Sequence, residues 1–242
     1  MVKILYINPI AEAASNELIK EVIEEIKRPD VEAVVKHIGR GPDHLEYHYY
    51  EHIVSDEVLR MVREAEKEGF DAVIIGCFYD PCLREAREIV SIPVIGPAEA
   101  SMHVAATLGH KFSIIVGRRK WVPKMESNVY LYGLDRKLAS FREVNFTVRE
   151  MVRERERLKN AIYEEAKRAV EEDGAEVIIL GCTMESGFAK ELSERLKVPV
   201  IDPVVVSWKF AEMMADLYRK MGISHSKLYG YEPPPPEEGW LT

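Results

Sequence analysis

The sequence predicts an α/β fold made of two similar parallel-sheet halves. Three observations predict it. Short apolar runs alternate with amphipathic helical patterns along the 242 residues, the order that builds parallel sheets. One run occurs twice in the same frame, as Gly69-Phe70-Asp71-Ala72-Val73-Ile74-Ile75-Gly76-Cys77 and as Gly174-Ala175-Glu176-Val177-Ile178-Ile179-Leu180-Gly181-Cys182. The copy then continues: Ile92-Pro93-Val94-Ile95-Gly96-Pro97 returns as Val198-Pro199-Val200-Ile201-Asp202-Pro203. The Gly-Cys units lie 105 residues apart and the Pro-Val units 106, so one residue was gained between them.

The elements follow in order. Residues 2–7 are almost wholly apolar, as a strand covered on both faces must be. A helical pattern occupies 15–27, a strand 31–37, a helix 55–68, the first copied strand 72–76, a helix 83–89, a short strand 93–95 and a helix 98–108. The cycle restarts with a strand at 111–116, which matches the opening strand in character. A long helix at 146–172, the second copied strand at 176–181, a helix at 188–196, a strand at 199–201 and a helix at 204–221 complete it. The expected domains are 1–98 with 204–224, and 99–203. The final helix would pack back on the first half. Residues 225–242 form a proline-rich arm, since four consecutive prolines exclude helix and central strand. Tyr229, Tyr231 and Trp240 would anchor it to the surface or to a neighbouring subunit.

Composition narrows the function. A net charge of -8 without a basic stripe argues against nucleic-acid binding. No run approaches the roughly 18 apolar residues of a membrane span, and the first residues read as a strand, not a secretory leader. A cytoplasmic location is expected. The lack of glutamine and the wealth of Glu, Lys, Arg, Ile and Val lean toward a heat-adapted, thermophilic protein. Three cysteines make no disulfide framework; in a reducing compartment, free thiols beside glycine turns point to chemistry. Neither a dinucleotide fingerprint nor a Walker loop occurs.

The two thiols carry the functional reading. Each ends a buried strand, where ligands of open α/β sheets bind. The pseudo-symmetry would turn the two crevices toward each other. A helix N-terminus behind each turn is expected to lower the thiol pKa and to offer N–H groups to an oxyanion. A thiolate facing a thiol moves a proton from one face of a carbon to the other. A lone Gly-Cys would read as a small core residue; two at matched places do not. Cys82 has no counterpart, since Ser186-Gly187 occupy the matching region, and reads as a packing or rim residue, with a disulfide to Cys77 as the alternative. His44, His48 and His52 would share one helix stripe with Asp43 and Glu51 nearby, a polar face in preference to a zinc site. The run 149–157 reads as a solvated face. Arg118-Arg119-Lys120 would be a basic pocket rim or plain surface, and Asp80 would cap the helix that follows it.

With these residues in view, the chain resembles the aspartate/glutamate racemase superfamily, and within it the hydantoin racemases, up to about Gly222. The most specific stretches are Gly76-Cys77-Phe78-Tyr79-Asp80-Pro81, Ala86-Arg87-Glu88, Pro93-Val94-Ile95-Gly96, Ala98-Glu99-Ala100, Asp173-Gly174-Ala175-Glu176-Val177-Ile178, Leu180-Gly181-Cys182 and Val198-Pro199-Val200-Ile201-Asp202-Pro203-Val204. Ile7-Asn8-Pro9 and Gly41-Pro42 before Leu45-Glu46 are similar too. The resemblance implies cofactor-independent chemistry with Cys77 and Cys182 as acid and base. The architecture expected is two flavodoxin-like parallel-sheet domains related by a pseudo-two-fold, with the active site in the cleft between them. The departures are Ile10-Ala11, where relatives carry Asn and a hydroxyl residue; Gly117, where they tend to carry Thr; and Thr183-Met184-Glu185, where hydantoin racemases have a small residue and then Gly-Met. Gly-Cys-Thr is instead similar to glutamate racemases.

Phe78-Tyr79 form an apolar wall where amino-acid racemases commonly place Asn-Thr, which suits a neutral ring with an apolar substituent. The expected activity is racemisation of a 5-substituted hydantoin or a related cyclic ureide such as allantoin. Cys77 and Cys182 would be catalytic, with Asn8, Phe78, Tyr79, Gly117, Thr183 and Met184 around the substrate. No metal and no cofactor is expected; the partners are a small-molecule substrate and further copies of the chain in a homo-oligomer. An aspartate/glutamate-type amino-acid racemase is the alternative on the same fold. A non-catalytic small-molecule binding protein is the alternative of another class.

Overall fold

The computed structural model describes residues 1–11 and 14–235; Trp240, one of the expected anchors, lies outside them. The first half runs β1 (Val2–Asn8), α1 (Ala14–Ile26), β2 (Val31–His37), α2 (His48–Lys67), β3 (Ala72–Ile75), α3 (Leu83–Ile89), β4 (Val94–Ile95) and α4 (Pro97–Leu108). The second runs β5 (Phe112–Val116), α5 (Val122–Leu131), β6 (Leu138–Glu143), α6 (Val148–Arg153), α7 (Arg155–Asp173), β7 (Val177–Leu180), α8 (Ala189–Leu196), β8 (Val200–Ile201) and α9 (Pro203–Met221). These strands form two four-stranded sheets, β2-β1-β3-β4 and β6-β5-β7-β8. Every ladder is parallel. The order is the same in both, so the copied sequence is a copied sheet.

The polar step before each copied strand has one job twice over. The Asp71 carboxylate accepts the Lys3 N–H at 2.8 Å, and that of Glu176 accepts the His110 N–H at 2.7 Å. Each pins the start of the neighbouring strand. At the other end the Gly76 N–H reaches the Ile7 carbonyl and the Gly181 N–H the Ile115 carbonyl, both at 2.8 Å. Both cysteines therefore leave the sheet at the same point, beside the central strand. That is the switch point of such a sheet, where ligands bind.

Several elements differ from expectation. The α5 and β6 elements are additions; β6 is a half-exposed edge strand, and without burial on both faces it lacks the apolar run that marks the others. Helix α2 starts at His48, not at 55. The single helix expected over 146–172 is two, broken at Glu154 (φ -117°, ψ 49°) and opened by a Thr147–Glu150 capping box.

Helix α9 crosses back to pack on β1, β3 and β4 of the first sheet and on α1 and α4, with Trp208 fully buried. A carboxylate straps each turn after a copied strand to the helix that follows the next strand. Asp80 accepts N–H groups of Ala98 (2.9 Å) and Glu99 (2.8 Å) and the Tyr132 hydroxyl (2.7 Å). It thus caps α4, not the helix that directly follows it. In the second half the carboxylate comes from the other side: Asp202 caps α9 through Val204 and accepts from Ser186 Oγ and Gly187 N.

The described part of the arm, up to residue 235, lies on its own chain. The Val94 N–H donates to His225 Nε2 at 2.9 Å. Lys227 Nζ donates to the carbonyls of Arg87, Glu88 and Val90 at the end of α3. Arg87 donates to the Tyr231 hydroxyl, while Tyr229 stays exposed. Burial and the nearby Arg87 charge push His225 down to about 4. Its folded pKa lies below the unfolded one, so its contribution is present above about 6.5 and is lost as the pH falls through about 4. The stability advantage of the wild type over His225→Gln, measured by urea denaturation, should narrow across that window by roughly 3 kcal/mol. A constant difference would refute the assignment.

Candidate active site

The turns after β3 and β7 bring Cys77 and Cys182 to one cavity of about 50 Å³. Leu45, Glu46, Phe78, Tyr79, Trp121, Met125, Val148, Gly181 and Thr183 complete its lining. The backbone N–H two residues on, Tyr79 for Cys77 and Met184 for Cys182, acts to lower each thiol's pKa. The helix termini expected behind the thiols are not there. Helix α3 begins at Leu83 and α8 at Ala189, and a 3₁₀ turn, Thr183–Glu185, follows Cys182. The expected lowering of the thiol pKa is accordingly reversed. Burial, with the Glu51 and Asp80 charges added, pushes Cys77 up to about 12, and burial with Glu185 raises Cys182 well above its ordinary value. All three cysteines are free thiols.

Of the expected site residues, Cys77, Cys182, Phe78, Tyr79 and Thr183 meet in the cavity lining. Met184 takes part through its backbone N–H; its carbonyl accepts from Arg155. Gly117 and Asn8 do not line the cavity. Gly117 sits behind Trp121: a Cβ there would come within 2.4 Å of the indole ring and 2.5 Å of Met151 Cε. The Asn8 amide donates to Ser15 Oγ and Asn16 Oδ1, both at 2.8 Å, so both its hydrogens are committed to α1.

Other residues were not legible as site residues. Tyr6, fully buried in β1, lies against the turn after β3: its ring and hydroxyl occupy the space where a Gly76 side chain would be, and the hydroxyl has no hydrogen-bond partner among the described residues. A polar tip inside an aliphatic strand was the available signal. Glu185, three residues after Cys182, is fully buried, and burial raises its pKa well above the ordinary carboxylate value. Leu45, Glu46, Trp121, Met125 and Val148 come from loops and helix ends without periodic pattern. Glu46 is buried; its Oε2 accepts from Arg118 Nη1 at 2.8 Å and its Oε1 from the Val148 N–H at 3.0 Å. Arg118 is therefore no free rim cation. Arg155 is no part of a solvated face either: it turns inward onto the Met184 and Ser186 carbonyls and the Phe188 ring.

A larger hollow, about 820 Å³, opens beyond the turn after Cys77 and is lined by His48, Glu51, His52, Cys82, Arg84 and Lys124 among others. Neither Cys77 nor Cys182 faces it. The three-histidine stripe is not formed, because His44 precedes α2 and packs against the Tyr47 and Tyr50 rings. Among the described residues no group of three or more His, Cys, Asp or Glu is placed to hold a metal. No helix among them is long and apolar enough to cross a membrane.

A family model described as Asp/Glu/Hydantoin racemase matches residues 4–211. The chain belongs to the Asp/Glu/Hydantoin racemase family. It is 36% identical over 236 residues to a hydantoin racemase of Pseudomonas sp. (strain NS671), covering 98% of this chain and 93% of that protein. It is 33% identical to a hydantoin racemase of Paenarthrobacter aurescens, covering 96% and 97%. Allantoin racemase from Klebsiella pneumoniae superposes with a TM-score of 0.91 at 30% identity, covering 97% of this chain and 94% of that one. As a racemase of this family, the chain has its two copied thiols in one cavity at matching strand ends.

Proposed function

We propose that this protein is a cofactor-independent racemase that inverts the Cα of a 5-substituted hydantoin or a related cyclic ureide such as allantoin, with Cys77 and Cys182 as opposed base and acid. One observation carries the proposal: both thiols line a single cavity, each on an equivalent turn. The Cys77 thiolate takes the Cα proton, and the carbanion delocalises into the adjacent ring carbonyl as an enolate. The Cys182 thiol then delivers a proton to the opposite face. The reverse direction exchanges the roles. Backbone N–H groups at Phe78 and Thr183 are the donors we assign to the enolate oxygen. The neutral ring carbonyl of a cyclic ureide stabilises the carbanion better than the carboxylate of a free amino acid, whose own negative charge opposes it, so the two thiols and backbone donors have a smaller barrier to lower.

The lining supports the substrate class. Leu45, Phe78, Tyr79, Trp121, Met125 and Val148 give it apolar walls. The neighbouring cations are already engaged, Arg118 by Glu46 and Arg155 by backbone carbonyls, so neither is left to hold an α-carboxylate. Polarimetry in deuterated buffer tests the reading across several hydantoins, allantoin, aspartate and glutamate. Loss of rotation with deuterium at Cα is expected for the cyclic ureides only. Binding without exchange would sink it.

The raised thiol pKa values set a pH dependence. The base is its minority form at neutral pH, so kcat/KM should climb about tenfold per unit through the alkaline range. A profile already flat at pH 7 would show that a thiol is ionised there.

A further inference from the structure

The cavity holds about 50 Å³, far below the roughly 300–1,000 Å³ of a ligand pocket. A substrate ring would therefore sit against every group at its mouth. Two of these groups are Leu45 and Glu46, on the loop between β2 and α2. Glu46 is an unusual wall residue. Its carboxylate is buried in an otherwise apolar lining, and both donors that reach it, Arg118 Nη1 and the Val148 N–H, come from the other half. These two bonds occupy two of about four acceptor positions on a carboxylate. The remaining lone pairs belong to a group that lines the same cavity as both sulfurs. Its charge is felt at Cys182 and at Tyr79.

We propose that Glu46 accepts a hydrogen bond from the substrate N–H attached to the carbon being inverted, and so selects neutral rings that carry an N–H beside the stereocentre. The inference rests on the cyclic-ureide reading above and adds a specificity residue to it. The carbon must lie between Cys77 and Cys182, and its ring nitrogen is one bond away. A carboxylate at the cavity wall receives that N–H and repels a substrate carboxylate at the same place. Such a site discriminates by leaving a buried polar group unpaired when the donor is missing.

The test compares a 5-substituted hydantoin with its N1-methyl and N3-methyl derivatives. In the wild type, N1-methylation should lower kcat/KM roughly 10- to 100-fold, as expected for loss of a hydrogen bond to a charged acceptor, and N3-methylation should cost far less. Glu46→Ala should lower kcat/KM for the parent compound and bring the parent and N1-methyl substrates to parity. Arg118→Ala removes one tie to the second half but keeps the carboxylate, so it should retain the discrimination. If Glu46→Ala does not fold, Glu46→Gln, which keeps one acceptor oxygen, should narrow the ratio. Undiminished preference in the Glu46 variants, or none in the wild type, overturns the proposal. Failure of the wild type to racemise any hydantoin overturns the underlying reading instead.

Discussion

Cys77→Ser and Cys182→Ser should each lower racemisation by roughly 10²- to 10⁴-fold, the range of a positioned general acid or base, while Cys82→Ser leaves it near the wild-type rate. A serine hydroxyl is a far weaker acid than a thiol, so it neither ionises as the base nor replaces the sulfur as the donor. The two variants should fail in opposite ways. With Cys182 replaced, Cys77 still abstracts from the enantiomer whose proton faces it and can return only deuterium to that same face. Exchange with retention is then expected for one enantiomer alone. Replacing Cys77 should leave exchange for the other enantiomer. Separate enantiomers in deuterated buffer, followed by mass and rotation, give the answer. Racemisation at the wild-type rate in either variant ends the two-base reading. Cys82 is a control of the right kind, because it faces the polar hollow and not the small cavity.

Gly181→Ala should destabilise the fold by roughly 1–3 kcal/mol and abolish most activity, with Gly76→Ala close behind. A Cβ on Gly181 would lie 2.3 Å from the Ile115 carbonyl oxygen and 2.9 Å from Ile114 Cγ2. The first contact is backbone of a central strand, which cannot rotate away. The N–H of Gly181 is bonded to that same carbonyl, so relief by displacement breaks the bond that seats Cys182. At Gly76 the obstacle is the buried Tyr6 ring, 2.1 Å from the added carbon at Cε1. Denaturant unfolding measures the first effect and racemisation the second. A Gly181→Ala protein as stable and active as wild type would show that the strand end tolerates movement. The small residue before each cysteine thus lets the turn lie against the central strand, a requirement of close approach, not of backbone angle.

The parts of the fold legible in the sequence are those with a local signature. The covered strands β1, β3, β5 and β7 announce themselves as apolar runs, and the copied Gly-Cys unit marks equivalent strand ends. The half-exposed β6 and the neighbouring α5 carry weaker patterns and escape such a reading. The break at Glu154 escapes it because helical spacing persists on both sides, and the contacts of the next residue, Arg155, to two carbonyls of the second half are tertiary. The direction of the thiol pKa shifts is hidden on the same ground. Burial outweighs the lowering effect of the backbone N–H beside each sulfur, and the depth of a turn is not written in its residues. The carboxylate strap is half legible: Asp80 has the chemistry of a cap, but the helix it caps lies 18 residues away in the chain.

By itself the sequence determined the α/β class, the duplication, and the two cysteines as its matched points, because strand burial and repetition are periodic and local. Only the tertiary structure decided that the two thiols share one small cavity, that Tyr6 fills the space beside Gly76, and that Glu46 reaches across to Arg118 and Val148 at its wall. Those contacts join residues dozens to more than a hundred positions apart. Their partners are chosen by which surfaces the packed sheets and helices bring together, and such a choice leaves no period in the chain to read.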